Sequence, residues 1–80
     1  MTRVNVQYFA ILREQRGLTA EVVETSNPTV AGLYEELRSR HGFTLPGERV
    51  RAAVNDTFVP ASQVFREGDR LVFIPPVAGG

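Results

Sequence analysis

The chain contains no cysteine and no lysine. Without cysteine there can be no disulfide, no thiolate metal site and no sulfur-carrying thiol, so any sulfur chemistry must use another atom. Without lysine, all nine basic residues are arginines, at 3, 13, 16, 38, 40, 49, 51, 66 and 70. Genome composition or thermal adaptation gives such a bias. So does a chemical requirement, because a guanidinium stays protonated while a lysine amine is the usual nucleophile towards an activated acyl group. Excess charge of either sign is also missing: nine acidic residues balance nine basic ones, which is neither a nucleic-acid footprint nor a polybasic membrane patch. No apolar run is long enough to span a bilayer, and Met1-Thr2-Arg3 leads into strand-like alternation without a signal peptide. A soluble, cytoplasmic protein with no nucleic-acid or membrane partner is expected. The single histidine, His41, has no second histidine or cysteine beside it and reads as a helix-end residue, so no metal site is expected.

What is present is 80 residues with 42% hydrophobic content, enough for one modest core. The most distinctive segment is the ending, Ile74-Pro75-Pro76-Val77-Ala78-Gly79-Gly80, whose side chains shrink until only backbone is left. Two closing glycines occur by chance in about 0.5% of chains. A terminal Gly pair reads either as a frayed end or as a tail that threads a narrow channel. Pro75 and Pro76 fix φ and cannot donate to a sheet ladder, so a strand must stop there. From Pro75 to Gly80 the backbone could project up to about 20 Å. The expected organisation is therefore a body over 1–74 and an extended, flexible tail over 75–80. The Gly80 carboxylate, ionised at neutral pH, is a poor electrophile until activated, and conversion to a mixed anhydride with AMP would supply the leaving group.

Residues Val4, Val6 and Tyr8 alternate with Arg3, Asn5 and Gln7, the period-2 pattern of a half-buried strand, with Phe9 on the opposite face. A short helical or irregular connection over 10–16 stops at Gly17, and Leu18 to Glu24 reads as a second strand. Thr29 is the expected N-cap of a helix from Val30 to about Arg40. Its stripe is Val30, Leu33, Tyr34 and Leu37, and Gly42 supplies the left-handed C-terminal residue. Glu35, Glu36, Arg38 and Arg40 lie outside the stripe; these carboxylates and Glu14 read as solvated or paired with arginine. A loop over 43–49 leads to a strand through Val50, Ala52 and Val54, a turn at Asn55-Asp56-Thr57 and a short return strand at Phe58-Val59. After a turn at Glu67-Gly68-Asp69, Arg70 to Ile74 is apolar at four consecutive positions, as in a central strand. Four or five strands and one packed helix make an α+β fold.

Four motifs in this order carry a resemblance: Phe9-Ala10-Ile11-Leu12-Arg13-Glu14, Ala53-Val54-Asn55, Glu67-Gly68-Asp69, and Ile74-Pro75-Pro76-Val77-Ala78-Gly79-Gly80. Over the whole chain they resemble the small subunits of molybdopterin synthase. The resemblance implies a ubiquitin-like β-grasp, a mixed four- to five-stranded sheet packed on one main helix, with first and last strands central and parallel. It implies a non-catalytic sulfur donor with no permanently bound cofactor. An E1-like adenylating enzyme would use ATP to adenylate Gly80, and a cysteine desulfurase or rhodanese would supply sulfur, leaving a C-terminal thiocarboxylate. The tail (Pro75, Pro76, Val77, Ala78, Gly79, Gly80) would enter the large synthase subunit, in a heterotetramer, and donate sulfur to cyclic pyranopterin monophosphate to build the molybdopterin dithiolene. Related carriers for thiamine synthesis or tRNA thiolation share the ending and the activation chemistry, as do ubiquitin-like protein modifiers.

If Val4, Val6, Tyr8, Leu71 and Phe73 face the helix, then Phe9, Val72 and Ile74 emerge on the other side, and strand pairing would bring Phe58 near them. Exposed apolar clusters of this kind mark partner sites; one or two of these residues would otherwise simply cover a sheet edge or pack under the 43–49 loop. Arg13 belongs to this group by resemblance alone, as a docking residue.

Overall fold

The structure is a computed structural model that describes residues 1–76. In chain order the elements are β1 (Thr2–Tyr8), α1 (Ala10–Arg16), β2 (Ala20–Thr25), α2 (Val30–His41), a 3-10 turn (Gly47–Arg49), β3 (Arg51–Val54), β4 (Thr57–Val59) and β5 (Arg70–Ile74). They form one five-stranded sheet ordered β2-β1-β5-β3-β4. β1 and β5 are parallel, with Val6 beside Leu71 and Tyr8 beside Phe73, while β1–β2, β3–β5 and β3–β4 are antiparallel. This mixed sheet, with β1 and β5 adjacent at its middle, is the β-grasp arrangement that the resemblance implies.

The core follows the period-2 pattern. Val4, Val6 and Tyr8 of β1 and Leu71 and Phe73 of β5 are buried against Leu33, Tyr34 and Leu37 of α2. Tyr34 packs tilted on Phe73 with ring centroids 5.3 Å apart. The helix begins where the sequence places it, because the Thr29 hydroxyl accepts a hydrogen bond from the Gly32 backbone N–H at 3.1 Å and satisfies one of the free donors of the first turn. It ends at Gly42, whose φ of 73° is the left-handed value. Asn55 and Asp56 both have positive φ, 49° and 74°, as a two-residue hairpin of the primed type requires between β3 and β4.

Two details differ from the sequence expectation. β2 starts at Ala20 rather than Leu18, since pairing with β1 begins at Gln7 opposite Ala20. Part of the expected 43–49 loop is the 3-10 turn, and Phe43 within it is a core residue that meets Tyr8 edge-on at 5.7 Å and stacks on Tyr34 at 6.0 Å. Of the two forms expected for the connection over 10–16, helical or irregular, the structure has the helix, which buries Leu12 completely.

Candidate functional site

The outer face of the sheet, opposite α2, is read from the register. Gln7 and Ala53 flank Val72 on either side, Ala53 is also opposite Phe58, and Arg51 is opposite Ile74. Because Tyr8 pairs with Phe73, Phe9 falls level with Ile74 at the end of the parallel pair. Phe9, Ile74, Val72, Ala53 and Phe58 thus form an oblique apolar band across three strands and the end of β1. Phe58 is 55% and Phe9 42% exposed, Ile74 is half-buried, and the Arg51 guanidinium lies over the Phe58 ring at 4.2 Å from its centroid. Stacking on the ring holds the cation beside the band at little cost in hydration.

Val72 departs from the expectation of an emergent side chain: it points to this face but is only 8% exposed. Its position in the central strand explains this, since Gln7 and Ala53 stand directly beside it and leave only the tip of a short β-branched group visible. It forms the floor of the band. The residue after Phe9, Ala10, opens α1 with φ of 51°, a left-handed value that costs a non-glycine residue roughly 1–2 kcal/mol. Arg13 is exposed one helical turn beyond Phe9.

The tail leaves from the same corner. β5 ends at Ile74; Pro75 is buried and Pro76 exposed, so the first proline still belongs to the packed body. Val77, Ala78, Gly79 and Gly80 lie outside the described residues. On the inner side of the β3–β4 edge a groove of about 390 Å³ opens beside the 3-10 turn, floored by Ala52 and Phe73 with Glu35 and Glu48 on its rim. No three histidine, cysteine, aspartate or glutamate side chains gather in metal-binding geometry among the described residues, and no helix among them is long and apolar enough to cross a membrane.

Sequence reasoning misses one polar cluster, assembled from four elements. The Tyr8 hydroxyl donates to Glu21 Oε2 at 2.6 Å, and Arg16 grips both Glu21 oxygens at 2.8 Å. The Arg16 bonds, then the Tyr8 bond, hold the Glu21 carboxyl down at about 2 despite its partial burial. Burial and the Glu21 charge push the Tyr8 phenol well up. His41 Nε2 stands 3.9 Å from the same carboxylate, and burial, with the Arg16 charge, pulls its imidazole down. His41 is in the last turn of α2 as expected, and the cluster clamps β1, α1, β2 and α2 together. Glu35 and Glu36 pair with Arg38 and Arg40, and Glu36 also accepts from Thr25 and Asn27. Only the three-dimensional arrangement reveals the links to Glu21, whose partners are 5 to 20 residues away, whereas the pairs of Glu35 and Glu36 with arginine are at helical spacing and are expected from the sequence.

Taken together, the fold and face define a ubiquitin-like β-grasp protein that offers an apolar band and a tail root. The ThiS family model matches residues 6–80, and the chain belongs to that family. It is 41% identical, over the full length of both proteins, to the molybdopterin synthase sulfur carrier subunit of Mycobacterium tuberculosis. Among solved structures it resembles a chain of the BexX/CysO complex of Amycolatopsis orientalis, with 29% identity, a TM-score of 0.70 and coverage of 96% of this chain and 99% of that one. The fold also matches a chain in the complex of subunits 1 and 2 of the Helicobacter pylori molybdopterin-converting factor, with 20% identity, a TM-score of 0.68 and coverage of 99% and 100%.

Proposed function

We propose that this chain is the sulfur carrier of a molybdopterin synthase, working in the cytoplasm. An E1-like enzyme uses ATP to adenylate the Gly80 carboxyl; the outer sulfur of a persulfide on a desulfurase or rhodanese displaces AMP to give an acyl disulfide, and a thiol then cleaves the S–S bond, leaving the thiocarboxylate and a disulfide. The large subunit then receives the tail, Pro76 to Gly80, and the thiocarboxylate sulfur passes to cyclic pyranopterin monophosphate. Phe9, Ile74 and Phe58, on the floor made by Val72, dock on the partner beside the tail, with Arg13 and Arg51 flanking them. Side chains that handle the pterin belong to the large subunit, and this chain contributes a reactive terminus.

The observation that carries this reading is the end-to-end likeness to sulfur carrier subunits, 41% identical over all of both chains. Incubation with an E1-like enzyme, ATP and a sulfur donor is expected to exchange one Gly80 oxygen for sulfur, seen as an intact-mass gain. An unchanged mass in the presence of an active enzyme overturns the proposal. Sulfur loading without transfer to the pterin precursor in the presence of the large subunit points instead to a carrier for thiamine synthesis or tRNA thiolation.

A further inference from the structure

We infer that β2 is a docking edge for a second copy of this chain, the two β2 strands pairing antiparallel about a two-fold axis at Val22. Of the two edges of the sheet, β2 and β4, only β2 offers a template of more than one residue. The Tyr8 N–H donates to the Thr19 carbonyl at 2.8 Å, while the Asn5 N–H turns the other way, to the Asp69 carbonyl beside β5. Bonded and non-bonded pairs alternate along an antiparallel ladder, so β2 uses the peptide groups of Glu21, Val23 and Thr25 on β1. Those of Ala20, Val22 and Glu24 point to the free edge. On β4, which is three residues long, the same alternation is set by the Asn55 N–H bond to the Arg70 carbonyl. It leaves Phe58 alone facing outward there.

A free edge of this kind is ordinarily protected by lysine, proline or a bulge. β2 has none of them: the chain has no lysine, the segment Ala20–Thr25 has no proline, and the register with β1 runs unbroken from Thr25 to Ala20. Its one inward-pointing charge, Glu21, is held by Arg16. On the outer face Leu18, Ala20 and Val22 are exposed, Val22 at 59%, and they line this edge with an apolar strip. Pairing centred on Val22 is self-complementary. Val22 meets Val22 of the second copy, Ala20 meets Glu24 and Glu21 meets Val23, so no like charges stand opposite one another. The edge-facing peptide groups of Ala20, Val22 and Glu24 then bond to one another across the axis, and Glu24 keeps its own pairing with Arg3 at 3.1 Å. Because the axis is perpendicular to the sheet, both apolar bands stay open on one face, and the two β5 strands end at opposite sides of the joined sheet. One strand a side covers less than the about 1,200 Å² of a standard interface, so the pairing is transient.

Sedimentation equilibrium of the full chain from about 10 μM to about 1 mM, the range suited to a small interface, tests this. The weight-average mass is expected to rise from 8.9 kDa towards twice that value. Val22→Pro removes the central outward donor and leaves the β1 ladder intact, because Val22 and Asn5 form a non-bonded pair. Val22→Lys places two ammonium groups opposite each other at an exposed position. In each variant, with folding checked by circular dichroism, the dissociation constant is expected to rise by about tenfold or more. Phe58→Ala, on the other edge, is expected to associate as the native chain does. A native mass that stays at 8.9 kDa throughout that range means that the edge receives a strand of another protein or nothing, and overturns the inference. Native-like association of the folded Val22→Lys chain overturns it as well, whatever Val22→Pro does. Loss of association in Phe58→Ala alone moves the contact to the outer band and also overturns it.

Discussion

The two faces of β5 carry the same kind of side chain and do opposite work. Leu71 and Phe73 point inward, are at most 1% exposed and lock the sheet to α2. Val72 and Ile74 point outward, where no helix covers them, and with Phe9 and Phe58 they form a band open to a partner. A central strand that is apolar on both sides is ordinary when helices cover both faces. Here one face is left bare, and the tail begins at its edge. Burial on the inner face stabilises the fold, while residual exposure on the outer face is available for association.

The strongest way to break this contrast is Phe73→Ala. Its ring lies in the core, tilted on Tyr34, and truncation leaves a cavity, so a loss of about 3–5 kcal/mol is expected in urea unfolding. A loss near zero would mean that the inner face is not the main source of stability.

Phe58→Ala probes the other side. With the ring 55% exposed, stability is expected to change by no more than about 0.5 kcal/mol. Affinity for the large subunit is expected to fall about tenfold or more, as for an aromatic anchor, read by calorimetric titration. Unchanged affinity would detach Phe58 from docking, and a large stability loss would make the outer face structural.

How far the sequence reveals this contrast depends on the range of the interactions. Alternation in β1, the stripe on α2, the Thr29 cap and the four-residue apolar run that makes β5 central are local patterns, and each is found where it is expected; that β1 pairs parallel with β5 is implied by the family resemblance alone. The emergence of Phe9 and Phe58 also follows from local phase. Burial of Val72 does not, because Gln7 and Ala53, which cover it, come from other strands. The core roles of Phe43 and Phe65, both outside regular strands and α2, are hidden for the same reason. Nothing in the spacing of Tyr8, Arg16, Glu21 and His41 shows that they meet.

That cluster sharpens the contrast most finely, since it marks where the inner face stops being purely apolar. Tyr8 is fully buried, and its hydroxyl at the rim of the core is satisfied by Glu21. Glu21→Gln keeps the shape but removes the charge that Arg16 grips, and a loss of about 1–2 kcal/mol at neutral pH is expected. The pH dependence gives the sign. Because the folded carboxyl titrates at about 2 rather than near 4.5, its contribution is fully present above the unfolded value and is lost as pH falls from there towards about 2. His41, pulled below its ordinary 6.5, acts in the same direction over a higher window, because the unfolded chain takes up its proton first as pH drops below that value. The native protein should therefore lose stability in two stages on acidification, the first set by His41 and the second including Glu21. In Glu21→Gln the loss between pH 4.5 and 2 should shrink, while the His41 stage persists and grows, since the carboxylate that partly favours the imidazolium is gone. Urea midpoints across that range measure it. Parallel curves for variant and native protein would show that this corner of the inner face is held by packing alone.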